Sequence, residues 1–238
     1  MPPSDPPFSP LSGIPDLVIG PSASENDRID GLKLVVDSVA EMKGTAAKLL
    51  LAHWVTWAGM VVVYSVVGKV LWKSSGDVPL VLTTCAGATM ALFVLIRYFT
   101  AEYVALAEGM DFEWIGGDEI LVARFGERVV GALVLGMVAE GGKGRRKKAV
   151  RGEIRAWTVR RRYRGKGVGT GLLEEAVKLV EARGGEGVGF SAAHANSHRV
   201  LYDYFDKPLD EADARAERKL QDVIYEQNAF AKKNRRGS

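Results

Sequence analysis

The 238-residue chain carries 32 Lys and Arg against 29 Asp and Glu, a net charge of +3, and has room for one ordinary domain plus additions. Its single cysteine, Cys85, lies inside an apolar run, which excludes an internal disulfide framework and a cysteine-based metal site. His53, His194 and His198 show no metal-ligand spacing, so no metal is expected.

Residues 1–15 open with MPPSDPPFSPLSG, rich in proline and serine and without an apolar core, and are expected to be a disordered lead-in and not a signal peptide. Asp16–Pro21 (DLVIGP) reads as a short strand. Ser24, followed by Glu25 and Asp27, is a helix-start signal. The helix is expected to run to about Lys43, with Ile29, Leu32, Val35, Val36 and Val39 on one face.

Two long apolar runs follow. Leu49–Leu71 is broken only by His53 and Lys69, and Pro79–Phe99 contains one charge, Arg97. The short polar turn Trp72-Lys73-Ser74-Ser75-Gly76-Asp77 separates them. Spanning a bilayer takes about 20 mostly apolar residues, so each run is long enough. Trp54, Trp57, Trp72, Tyr98 and Tyr103 fall near the run ends, where interfacial aromatics belong. Residues 49–99 are therefore expected to form a transmembrane hairpin inserted after the first helix. A pair of buried core helices is the alternative, but a domain this small could hardly surround both.

Glu119–Arg124 and Val129–Ala139 are two strands joined by Phe125-Gly126-Glu127-Arg128, a hairpin signal. Gly141–Lys148 (GGKGRRKK) is expected to be an exposed basic loop. From Gly141 to Thr170 there are twelve Lys or Arg and one acid, Glu153. Ala149–Val159 alternates as a fourth strand, and Arg164-Gly165-Lys166-Gly167-Val168-Gly169 follows almost at once. An amphipathic helix starts near Thr170, carrying Leu172, Leu173, Ala176, Val177 and Val180, and stops at Gly184-Gly185. Val188–Ala192 makes a fifth strand and Asn196–Phe205 a short helix. Residues 206–238 read as a charged helix, marked by Leu220, Val223, Ile224 and Phe230, that ends in the basic tail KKNRR.

Strand, glycine loop and helix together aim several backbone N–H groups and a helix N-terminus at one point, which favours a phosphate. The P-loop needs GxxxxGK[ST] and the dinucleotide fingerprint GxGxxG; RGKGVG satisfies neither. It does satisfy [QR]xxGx[GA], through Arg164, Gly167 and Gly169, and the following helix carries LLEEA. In these features the chain resembles the GNAT superfamily of N-acetyltransferases. The order of elements from Ile14 to Phe205 extends the likeness. It is similar in particular to the membrane-associated branch that acetylates cysteine S-conjugates or makes N-acetylaspartate. In that branch an apolar segment interrupts the fold after its first helix, and Thr100-Ala101-Glu102-Tyr103-Val104 and Asp111 look like its exit sequence.

The resemblance implies an α/β (α+β) fold: a mixed, mainly antiparallel sheet flanked by helices, occupying residues 16–205 around the hairpin. It implies acetyl-CoA as cosubstrate, its pyrophosphate held by backbone N–H groups of Arg164, Gly165, Lys166, Gly167, Val168, Gly169 and Thr170. Val159 would pair with the pantetheine arm, and Asn196 would contact the coenzyme. Glu153 lies six residues before Val159, an even offset that puts both side chains on one strand face; in the family a glutamate here draws the amine's proton. A salt bridge to Arg151 or Arg155 is the structural alternative. Tyr202, in HANSHRVLYDYF, matches the family's thiolate-protonating tyrosine, although Asn196 is one residue closer to it than usual, and Tyr204 is a second candidate. His194 and His198 are alternative bases. The final two strands of the family have no counterpart after Phe205.

These features point to a hairpin-anchored N-acetyltransferase with a small amine or amino-acid conjugate as acceptor. A protein N-terminus or lysine is one alternative, a non-catalytic acyl-CoA-binding scaffold another. The bilayer is the expected partner, through Arg145–Lys148 and KKNRR as well as the hairpin. No aromatic platform stands beside the basic cluster, which disfavours nucleic acid. Lys43, Lys48 and Arg97 at the outer ends of the hairpin favour a cytosolic catalytic domain on the endoplasmic reticulum or another internal membrane. Lys69 and Lys73 oppose them, and oligomeric state is left open.

Overall fold

A computed structural model describes residues 15–140, 149–200 and 203–237. The N-terminal lead, the basic loop 141–148 and Tyr202 lie outside the described residues.

Five strands form one sheet in sequence order: β1 (Leu17–Pro21), β2 (Glu119–Phe125), β3 (Arg128–Glu140), β4 (Ala149–Val159) and β5 (Val188–Phe190). β1 to β4 are antiparallel neighbours, and β5 lies parallel to β4. Alternation along the strands gives two apolar faces. Leu121, Ala123, Leu133 and Leu135 meet α6 (Val168–Ala182), whose Leu172, Leu173, Ala176 and Val180 are buried there. Ile120, Val122, Ala132 and Val134 meet Leu32, Val35 and Val39 of α1 (Glu25–Ala52) on the opposite face.

Ser24 caps α1, its hydroxyl accepting from the Asp27 N–H at 3.2 Å. The helix does not stop near Lys43, as expected, but continues to Ala52, because nothing between Lys43 and Leu51 breaks it. It ends at His53, whose extended backbone and ring nitrogen, accepting from Val55 N–H, start α2 (Trp54–Leu71). After a polar turn, α3 (Val78–Phe99) returns alongside. The Tyr64 and Thr89 hydroxyls join the pair at 2.7 Å. Only Met60 of α2 and Ile96 of α3 are buried, so these helices lie outside the core instead of forming it. Two short helices, α4 (Glu102–Glu108) and α5 (Phe112–Ile115), lead back into β2.

The separate Asn196–Phe205 helix expected from sequence is not formed: residues 196–197 are turn, 198–200 have no regular structure, and 203–205 belong to the helix that follows. A long helix, α7 (Asp203–Gly237), starts at Asp203 and packs Leu220 and Val223 against the α6 side of the sheet. β5 is also shorter than expected, ending at Phe190. Among the described residues no strand follows it.

Candidate functional site

The site is a gap between two strands. β4 and β5 pair only from Gly152↔Val188 to Ile154↔Phe190. Ser191 N–H still reaches the Ile154 carbonyl and Ala195 N–H the Arg155 carbonyl, and beyond these the chain turns away from β4. Arg160 N–H bonds to the Val130 carbonyl of β3 at 2.8 Å. Antiparallel alternation therefore turns the N–H and C=O of Val159 away from β3, into the gap. Arg164 Nε takes that carbonyl at 2.8 Å, which leaves the Val159 N–H as the donor facing the gap.

The glycine loop closes one end. Gly165 (φ 75°) and Gly167 (φ 83°) are left-handed, a conformation only glycine adopts at little cost, and a Cβ on either would point into open space. Gly167 is the N-cap of α6 and no side chain caps it. The first-turn N–H groups and the positive end of a 15-residue helix thus face outward without an internal acceptor, an anion site by construction. Gly169 is required for a different reason. Trp157 Nε1–H donates to its carbonyl at 3.1 Å, and a Cβ there would lie 2.9 Å from the indole ring.

A cavity of about 480 Å³ fills the gap. Of the expected coenzyme residues, Val159, Arg164, Gly165, Gly167, Gly169, Thr170 and Asn196 line it. Lys166 instead stacks over the Tyr163 ring at 5.7 Å, and the Val168 side chain is buried in the core. One wall is a stripe of α1, Ser38, Glu41, Met42 and Thr45; the facing wall is a stripe of α7, Leu209, Ala212, Ala216 and Lys219. Glu41 lies 3.7 Å from both Arg161 and Arg164. The α1 stripe follows helical i, i+3, i+4, i+7 spacing, and the α7 stripe does so once Asp213, which also lines the cavity, is counted; nothing local in the sequence says what these faces meet.

His194 is buried in the cavity wall. Its Nδ1 accepts from the Asn196 N–H at 3.2 Å, and its Nε2 has no partner among the described residues. Burial holds its pKa down to about 4, so the ring is neutral at pH 7 with its proton on Nε2. Asn196 Oδ1 accepts from the Ser38 hydroxyl at 3.4 Å, tying this segment to α1. Arg199, not singled out by sequence, clasps the segment to α7 through Asp210 and Asp213. His198 lies apart, 3.7 Å from Glu102.

Glu153 does not share a face with Val159. The β3–β4 register shifts between Val134↔Ala156 and Leu135↔Ile154, which makes Arg155 an extra residue, a β-bulge. Gly152 points toward Val180 of α6, so Glu153 points to the other face, whereas Val159 packs in the α6-side core. The bulge reverses the alternation that an even spacing assumes. Among the described residues neither arginine beside Glu153 forms an ion pair with it: Arg155 pairs with Asp118 at 2.6 Å and lies over the Trp114 ring. Glu153 is not among the residues lining the cavity.

A sheet that splays beside a left-handed glycine loop and an uncapped helix N-terminus defines the GNAT fold. The model of the acetyltransferase (GNAT) family matches residues 91–205 of the chain. No curated protein matches the chain. Similar solved structures include a Trypanosoma brucei acetyltransferase (15% identity, covering 81% of this chain and 90% of that one, TM-score 0.37). They also include an aminoglycoside acetyltransferase from an uncultured soil metagenomic sample, in complex with trehalose (15%, 46% and 62%, TM-score 0.30). A third is a ribosomal-protein-alanine N-acetyltransferase from Brucella melitensis (20%, 39% and 59%, TM-score 0.29). The chain spans less than two thirds of the last two.

Proposed function

We propose that this protein is a membrane-anchored N-acetyltransferase that moves an acetyl group from acetyl-CoA to a primary amine of a small molecule or amino-acid conjugate. One observation carries the reading: the uncapped N-terminus of α6 and the outward Val159 N–H face the same cavity. That combination fits a long, phosphate-bearing thioester better than a compact ligand. Open space over Gly165 and Gly167 and the two arginines at 161 and 164 fit its pyrophosphate.

Acetyl-CoA supplies the acetyl group as an activated thioester. The first-turn N–H groups of α6 hold phosphate, and the Val159 N–H stands where it can stabilise negative charge on a carbonyl oxygen. Glu153 is the candidate base, acting from the α1 face of the sheet through water, and Tyr202 is the candidate acid for the leaving thiolate. His194, neutral with its Nε2–H unpartnered among the described residues, is the alternative donor on the cavity wall. The aminoglycoside acetyltransferase and the ribosomal-alanine acetyltransferase are named for small-amine and protein acceptors respectively. The cavity wall of α7 favours neither.

The hairpin supports anchoring. α2 and α3, 18 and 22 residues, are about 27 and 33 Å long, close to the roughly 30 Å of a hydrocarbon core. Their apolar side chains are exposed, Val62, Leu82 and Met90 among them. We place the catalytic domain on the cytosolic face of the endoplasmic reticulum or another internal membrane, beside Lys43, Lys48 and Arg97.

The test is acetyl-CoA calorimetry on detergent-purified protein, wild type against Gly167→Asp, with circular dichroism to verify folding. Micromolar binding lost in the variant, followed by turnover in an amine screen, supports the enzyme. Binding without turnover favours a scaffold, and a folded protein that binds nothing ends the reading.

A further inference from the structure

A second groove, of about 540 Å³, lies at the foot of the hairpin between α1 and the end of α3. Its floor is apolar, with Leu51, Phe93 and Ile96. Its rim carries Lys43, Lys48, Arg97 and Arg161. Among the described residues Lys43, Lys48 and Arg97 take part in no ion pair, and Arg161 meets only Glu41. Three uncompensated cations around an apolar floor are complementary to an anionic amphiphile. They stand where the apolar helices end, at the depth of lipid headgroups.

The groove adjoins the transfer cavity, with Glu41, Thr45 and Arg161 lining both. Along α1, Glu41 and Lys48 are seven residues apart, about 10 Å at 1.5 Å per residue. An anion held by Lys48 and Arg97 therefore lies a headgroup's reach from the cavity mouth. Glu41 is the one acid lining this groove among the described residues, and at its junction with the cavity it attracts an ammonium.

We infer that the acceptor is a membrane amphiphile bearing both an anionic group and a primary amine. Lys43, Lys48 and Arg97 hold its anion, Leu51 and Phe93 its apolar part, and the amine passes Thr45 and Glu41 into the cavity. This rests on the acetyltransferase reading above and names its substrate class. The amine nitrogen forms the new C–N bond to the acetyl carbon as the C–S bond breaks. One proton leaves the nitrogen and one joins the sulfur, so amine and thioester become amide and thiol.

The test uses the full chain in phosphatidylcholine vesicles with radiolabelled acetyl-CoA. Phosphatidylserine in the vesicles is one acceptor, and its water-soluble headgroup, phosphoserine, is the other. The expected result is labelled lipid, and a Lys48→Gln/Arg97→Gln variant that raises the acceptor KM about tenfold or more with kcat and acetyl-CoA affinity unchanged. Lys48→Arg/Arg97→Lys should restore KM. Equal efficiency with phosphoserine, or labelling of neither, overturns the inference while acetyl-CoA binding persists. An unchanged KM in the double variant also overturns it. Loss of acetyl-CoA binding in the wild type would instead bring down the acetyltransferase reading beneath it.

Discussion

Trp157 and Gly169 fix each other across the strand–helix junction: the indole donates to the glycine carbonyl at 3.1 Å while its ring fills the space a Cβ would need. Gly169→Ala should therefore lower stability by about 1–3 kcal/mol through overpacking, and weaken acetyl-CoA binding by shifting the first turn of α6. Trimming the ring with Trp157→Leu should recover part of the Gly169→Ala loss. Gly167→Ala should cost about 1–2 kcal/mol through its left-handed backbone, with no such rescue. Thermal unfolding of the single and double variants in detergent separates the two causes.

Glu41 sits where two arginines would otherwise meet phosphate, 3.7 Å from each. The three side chains are half to two-thirds exposed, so the attraction is modest. Glu41→Gln should tighten binding of desulfo-acetyl-CoA by about two- to fivefold, an effect that added salt erases. Weaker binding in calorimetry would show that Glu41 orders the loop instead of competing for it.

Much of this site was legible in the sequence because its signals are local. Glycines at 165 and 167 are needed by backbone angle, and the alternation of Ala149–Val159 matches β4. What was hidden depends on distant partners. The bulge at Arg155 has no local mark; its pairing with Asp118 and stacking on Trp114 join parts of the chain far apart in sequence. An even spacing from Glu153 to Val159 was thus read correctly as arithmetic and wrongly as geometry. Nor does a change from polar to apolar composition end a helix, which is why α1 runs nine residues past Lys43.

His194 makes stability depend on pH. Its folded pKa, about 4, lies below the ordinary 6.5, so the unfolded chain takes up the proton first. The contribution is complete above pH 6.5 and is lost as pH falls toward 4, by about 3 kcal/mol in all. His194→Gln should flatten the stability profile across that interval. Denaturant midpoints that stay parallel in the two proteins would show the ring to be more hydrated than its burial implies.

Arg199 anchors the start of α7 by three bonds to Asp210 and Asp213 and one to the Asn196 carbonyl. The acids are well exposed, so Arg199→Ala should cost only about 1 kcal/mol globally. Its effect should be local. Amides of residues 203–216 should exchange faster with deuterium, while the stretch around Leu220 and Val223, held by the core, keeps its protection. Uniform loss of protection along α7 would mean the helix docks as one unit.

The unbroken course of α1 has a mechanical meaning. Twenty-eight residues make a rod of about 42 Å with Ser38 and Glu41 partway along and the hairpin at its end. Without a hinge before His53, a tilt imposed on the far end swings the cavity wall as a lever does. In the membrane-anchored enzyme we propose, lipid chain length would then set the width of the cavity opening, and turnover measured across vesicles of increasing thickness should trace a maximum instead of a flat line.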